Sequence, residues 1–167
     1  MTSSSSPLPA PSPRARLTFG RLSRGDVLPT VDLTITPDDV RAYLAATGEP
    51  AERWSERVPP IMLSALMLAV LLAQVEIPKG VLHTGHEHEA RRPVQIGEPL
   101  AVSISVSSHS VRRGALMATF DAEARSGDDV VAISRASVLV PPDGDAAGDA
   151  TGGGTGDANG DANGSAE

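Results

Sequence analysis

Val58-Pro59-Pro60-Ile61-Met62-Leu63-Ser64-Ala65-Leu66-Met67-Leu68-Ala69-Val70-Leu71-Leu72-Ala73-Gln74 is the stretch on which the fold turns. Two prolines open it, and proline suits a first helical position, where the amide N–H has no intrahelical partner anyway. No polar face interrupts the run, and a helix that is apolar all round belongs inside a domain. A membrane span is the competing reading, but it needs about 20 consecutive apolar residues. Here the longest uninterrupted run is Ala65 to Ala73, with Ser64 before it and Gln74 after. A core helix ending near Gln74, with Pro78 and Gly80 beyond it, is therefore expected.

Upstream, Val31, Leu33 and Ile35 alternate with Asp32, Thr34 and Thr36, the period of a half-buried strand. Thr36 can cap a following helix, Pro37 suits its first position, and Asp38 and Asp39 complement its amino-terminal dipole. Val40, Tyr43 and Leu44 share one face, and Gly48 provides a stop. Residues 49–58 are polar apart from Trp54 and Val58 and are expected to loop. Downstream the period becomes two. A strand is expected over 81–91, then a turn around Gly97, then a strand with Leu100, Val102, Ile104 and Val106 on one face. A turn at Arg113-Gly114 leads to a strand carrying Leu116, Ala118, Phe120 and Ala122. A turn at Ser126-Gly127-Asp128-Asp129 leads to a last strand over 130–140. Three successive antiparallel strands with short glycine-containing turns form a meander.

Both ends differ in composition. Residues 1–16 are rich in Ser, Pro, Ala and Arg, and 141–167 in Gly, Asp, Ala and Asn, with six acids and no base. Neither can offset the roughly 1–2 kcal/mol per residue that ordering costs. Both are expected to be disordered tails around one domain at 17–140. The repeat at 156–164 superficially resembles calcium-binding loops, but the terminal Glu and flanking helices of an EF-hand are absent. The chain carries 14 bases and 21 acids, of which 17–140 keeps 12 and 15. The domain is thus nearly balanced, with no basic stripe, which disfavours nucleic-acid binding. Cysteine is absent, excluding disulfides and thiolate chemistry. No basic segment followed by an apolar run opens the chain, so a cytoplasmic protein without a secretory signal is expected.

One antiparallel sheet curled around one helix accounts for both the apolar helix and the strand pattern. The fold class expected is α+β, a hotdog fold. With that architecture in view, the chain resembles the MaoC-like dehydratase group, specifically its amino-terminal or FAS1-like dehydratase type. The resemblance rests on Pro59-Pro60, the apolar helix, Leu82-His83, Arg92-Pro93, Gly97-Glu98 and Leu100 in order and spacing. Val40-Arg41-Ala42-Tyr43 and Thr47-Gly48 match the first helix of that group, so the likeness covers most of 31–140.

The resemblance implies hydration of trans-2-enoyl thioesters or dehydration of 3-hydroxyacyl thioesters, carried on coenzyme A or acyl carrier protein. Catalytic members place an Asp and a His a few residues apart just before the buried helix. One group moves the alpha-carbon proton while the other handles the hydroxyl or water. Backbone N–H groups at the helix amino end polarise the thioester oxygen. Between Gly48 and Ile61 this chain has Glu49, Glu52 and Glu56 but no His and no Asp. The resemblance therefore implies a subunit that shapes the substrate pocket and pairs, as a homodimer or heterodimer, with a second hotdog chain. Sheets placed side by side would also cover an exposed edge.

Pro60, Ile61, His83, Gly85 and Arg92 are the substrate-binding candidates, and His83 is the sole catalytic candidate. His83 otherwise serves as a structural histidine ordering its turn. Arg92 has two readings, a partner for Glu98 or for a coenzyme A phosphate. His86 and His88 lie two apart and share a strand face, compatible with metal ligation, but Ala90 comes next on that face and offers no third ligand; no metal or cofactor is expected. Trp54 either lines the acyl channel or anchors its loop. The competing functions are a hotdog thioesterase, disfavoured because 61–75 holds no carboxylate, and an acyl-CoA-binding regulatory module.

Overall fold

The structure is a computed structural model and describes residues 16–142. The expected tails, and with them the repeat at 156–164, lie outside the described residues, apart from Arg16, Pro141 and Pro142. The order of elements is β1 (Leu17–Thr18), β2 (Val27–Thr34), α1 (Pro37–Thr47), α2 (Pro60–Gln74), β3 (Val75–Glu76), β4 (Leu82–Ala90), β5 (Pro99–Arg112), β6 (Ala115–Ser126) and β7 (Asp129–Val140). Short 3₁₀ turns occupy Phe19–Arg21 and Ala51–Trp54.

Five strands form one antiparallel sheet in the order β2-β5-β6-β7-β4, and α2 lies across its concave face. The meander over β5, β6 and β7 is the one the alternation predicts. β4 does not join its sequence neighbour β5. It crosses to the far edge and pairs with β7. Alternation sets which side chains face the helix: Leu100, Val102, Ile104 and Val106 on β5, and Ala118, Phe120, Ala122 and Ala124 on β6, all buried. Against them α2 packs Met62, Leu63, Met67 and Leu71. Met67 is 1% exposed, and burial of such a side chain contributes about 1.5–3 kcal/mol.

α1 begins and ends as its sequence dictates. Asp39 N–H donates to Thr36 Oγ1 at 3.2 Å while Thr36 N–H donates to Asp39 Oδ2 at 2.8 Å, a reciprocal capping box. Gly48 closes the helix at φ 73°, a left-handed conformation that side chains disfavour.

Three features differ from the sequence reading. β2 starts four residues earlier than the alternation at Val31 marks, because the register shifts between Leu28 and Val31 and interrupts the period. Phe19, which no periodic pattern flags, is 1% exposed and stacks at 6.1 Å on Phe120. A parallel pairing of β1 with β3 brings it there. The third concerns α2 itself. One side of this apolar helix is open: Ile61 is 64% exposed and Leu72 45%, with Ala65 and Ala69 exposed between them. The sheet covers only the opposite side.

Candidate functional site

β4 carries three histidines, and a bulge decides where they point. His83 pairs with Val138 and Gly85 with Ser137, so Thr84 is the extra residue. Strict alternation would set His83 and His86 on opposite faces. The bulge reverses the parity, and His83 opposite Val138, His86 opposite Ala136 and His88 opposite Ser134 all share the concave face. Sequence spacing placed His86 and His88 together but not His83, because no residue signals the bulge. Gly85 is not sterically required there: an added Cβ would meet Ser137 Cβ at 3.8 Å, an ordinary contact.

His86 is the fixed member. Its Nε2 lies 3.0 Å from Ser64 Oγ on α2 and 2.9 Å from Ser134 Oγ on β7. Both serines are buried, at 7% and 4% exposed. With the ring proton on Nδ1, both hydroxyls donate to Nε2; with it on Nε2, the ring donates to a hydroxyl. The backbone of His86 runs along the open sheet edge while this end of its ring turns inward. Burial lowers its pKa, and neighbouring His83 lowers it further. The His83 ring sits edge-on to it at 5.4 Å between centroids. His88 is partly buried, and both of its ring nitrogens are shielded without a hydrogen-bond partner. Burial lowers its pKa too, with His86 adding to the shift. No group of three or more His, Cys, Asp or Glu side chains among the described residues is arranged to hold a metal ion.

Beside His86 lies a cavity of about 10 Å³ between helix and sheet, lined mainly by Met67, Leu68, Leu71, Ile104 and Phe120, with Ser134 as its other polar group. Ala122 and Ala136 form part of its wall, and their small side chains leave the gap open. The space admits about one water-sized group.

The segment leading into α2 is fixed and contains no imidazole. Val58 N–H donates to Val94 O at 2.9 Å and Ile96 N–H to Glu56 O at 3.0 Å, tying it to the β4–β5 connection. Trp54 Nε1–H donates to Glu49 Oε2 at 2.9 Å, and the Arg53 guanidinium stacks over the indole at 5.3 Å. Trp54 therefore anchors its loop.

Pro60 and Ile61 stand exposed at the start of α2, and His83 and Gly85 are exposed on β4. Arg92 lies elsewhere in its bonding. It pairs with both carboxylate oxygens of Glu98, at 2.7 and 3.3 Å, and reaches Asp129 at 3.8 Å. Arg92 holds the Glu98 carboxyl down to about 2. Of its two readings, the ion pair is the one the structure contains. His86, by contrast, has two buried serine partners, whereas its spacing from His88 in the sequence suggests only metal ligation. Its serine partners lie 22 and 48 residues away in sequence, beyond the reach of any local pattern.

No family model and no curated protein matches the chain. Solved structures do. An (R)-hydratase from A. caviae involved in PHA biosynthesis is 21% identical, with a TM-score of 0.57 over 72% of this chain and 98% of that one. A MaoC-like dehydratase from Rhodospirillum rubrum is 17% identical, with a TM-score of 0.60 over 74% and 96%. The HadBC (3R-hydroxyacyl-ACP dehydratase) complex from Mycobacterium tuberculosis is 16% identical, with a TM-score of 0.57 over 70% and 96%. The chain shares the hotdog fold of these proteins.

Proposed function

We propose that this chain is a subunit of a MaoC-like acyl-thioester hydratase or dehydratase, contributing pocket walls while a partner hotdog chain supplies the acid/base pair. The carrying observation is the segment between Gly48 and Ile61. It occupies the position where the resemblance places an Asp/His pair, yet holds neither residue. Its backbone is pinned and Glu49 is engaged by Trp54. The proton at the alpha carbon and the proton on the hydroxyl or water each need a group to move them, and this segment lacks the pair that the resemblance assigns to that task.

Two open surfaces support the partner. β4 is a sheet edge with an unpaired backbone row, carrying Leu82 at 54% exposed, and such edges invite a further strand. The uncovered side of α2, with Ile61 and Leu72, is apolar and lacks a neighbour within the described residues. A second hotdog chain placed sheet beside sheet would cover both. Pro60 and Ile61 at the helix start, with His83 and Gly85 on β4, then line the thioester site. The substrate would be an acyl-CoA or acyl-carrier-protein thioester, and the cytoplasm the compartment. No helix among the described residues is long and apolar enough to cross a membrane.

The test is crotonyl-CoA hydration by the purified chain, alone and mixed with a hotdog protein that carries an intact Asp/His pair. Activity only in the mixture is expected. Hydration by the chain alone would overturn the non-catalytic role, and release of free coenzyme A would favour a thioesterase.

A further inference from the structure

We propose that the chain's own acidic segment, residues 143–167, docks on a cationic patch at the end of the domain from which it leaves, and shields that patch from other polyanions.

Three observations carry it. The first is where the free bases gather. Arg16, Arg21, Arg24, Lys79, Arg112 and Arg113 are exposed, and among the described residues none of their side chains has an ion pair or hydrogen bond. The arginines paired with Asp38, Glu89, Glu98, Glu123 and Asp121 lie elsewhere. Strand pairing brings the free bases to one end. Arg112 and Arg113 sit at the β5–β6 turn. Lys79 lies in the turn before Leu82, which pairs with Leu139, as Met117 does. Phe19, between Arg16 and Arg21, has its ring 6.1 Å from that of His109, just upstream of Arg112. Gly25, next to Arg24, donates its N–H to Val106 O at 2.8 Å. Among the described residues Asp26 and Glu76 are the acids on this end, and Asp26 is taken up by the Ser23 N–H.

The second observation is the anchor. Leu116 pairs with Val140, so β7 ends beside the same turn. A Cβ added at Gly114 would meet Pro142 Cβ at 3.1 Å, so the chain beyond Pro142 starts next to Arg113. Arg113 itself has φ 51°, in a hairpin turn whose left-handed positions favour Asn, Asp or Gly. The third is charge and reach. Residues 143–167 hold six acids, Asp143, Asp145, Asp149, Asp157, Asp161 and Glu167, and no base. A glycine-rich segment of that length reaches roughly 25–30 Å from its anchor. The five-stranded sheet is about 20 Å across, so the bases on this end fall within range. Exposed ion pairs are individually weak, but an attached segment is present at about millimolar effective concentration. That favours the chain's own acids over a free polyanion as the occupant.

The experiment uses the full chain, which has no cysteine, with a nitroxide on Ala158→Cys, and measures paramagnetic broadening of backbone amides. Tethering at Pro142 alone brings the label near this end, so a charge-neutral chain (D143N, D145N, D149N, D157N, D161N and E167Q) carries the same label as control. At about 10 mM salt, where the Debye length is about 30 Å, the acidic segment should broaden Arg21, Lys79, Arg112 and Arg113 at least about twofold more than the neutral one. At about 1 M salt, where that length is about 3 Å, the difference should vanish. R112E combined with R113E should remove most of the excess, and circular dichroism establishes that every variant is folded. Equal broadening by the acidic and neutral segments at low salt would overturn the docking. So would an excess that persists at high salt or in the R112E/R113E chain. Inorganic tripolyphosphate should bind the charge-neutral chain at least about twofold more tightly than the parent, with the gain lost in R112E/R113E. Equal affinity for the parent and the charge-neutral chain would overturn the shielding.

Discussion

Ser64 on α2 and His86 on β4 meet at 3.0 Å, Oγ to Nε2, and so tie the central helix to the edge strand. Ser134 approaches the same nitrogen from β7 at 2.9 Å. One ring nitrogen thus joins three elements that are distant in sequence. Ser64→Ala removes one of two partners and should lower the unfolding free energy by about 1 kcal/mol. Removing both hydroxyls strands the nitrogen, and the double variant should lose about 1–3 kcal/mol. Urea denaturation measures both. A double variant as stable as the parent would show that water replaces the serines at the strand edge.

The two depressed histidines give stability a pH dependence with a defined sign. Folding holds His86 and His88 below the ordinary value of 6.5, burial being the larger cause for each. Above about pH 6.5 both states are neutral and the rings contribute no slope. Below it the unfolded chain takes up protons that the folded chain does not, so stability falls as pH drops toward the folded values. Melting temperatures between pH 8 and 5 should decline, and the decline should be shallower in His88→Phe. Equal slopes in parent and variant would contradict the shift at His88.

A different window belongs to Glu98. Its carboxyl is held at about 2, chiefly by the Arg92 hydrogen bond. For a depressed acid, stability is present above the unfolded pKa of about 4.5 and is lost as pH falls through the folded value. Arg92→Leu should therefore destabilise the protein at pH 7 and make little difference near pH 2. Chemical denaturation at the two values tests this. If Arg92 instead served a coenzyme A phosphate alone, the variant would weaken ligand binding without changing stability at either pH.

Much of the fold was legible because it rests on local periodicity. The alternation from Leu100 to Val140, the Thr36 cap with Asp39, and the prolines before Ile61 each act within a few residues. What escaped the sequence depends on long-range geometry. The bulge at Thr84 turns His83 onto the face of His86, yet it arises from how β4 meets β7. Phe19 reaches the core only because β1 pairs with β3. The site was legible chiefly as an absence, the missing Asp/His pair, since an empty position in a spaced motif can be read directly. The Ser64–His86–Ser134 contact, built from residues scattered over three elements, cannot.

The two sides of α2 make opposite predictions for one kind of substitution. Met67 faces the sheet and is 1% exposed. Met67→Asp would bury a charge without a partner, which costs more than a domain of this size can absorb, and the variant should fail to fold. Leu68 is partly buried and packs against the core, so Leu68→Asp should be severely destabilising but less so than Met67→Asp. Ile61 is 64% exposed on the open side, so Ile61→Lys should leave the melting temperature of the isolated chain nearly unchanged. If a second hotdog chain covers that side, the lysine must lose its water on association, and a charge at an apolar contact should weaken the complex at least about tenfold. Circular dichroism of the three variants, with sedimentation of Ile61→Lys alone and with its partner, separates the cases. A stable Met67→Asp would refute the packing of α2 on the sheet. An Ile61→Lys complex as tight as the parent's would show that the exposed stripe is not where the partner binds.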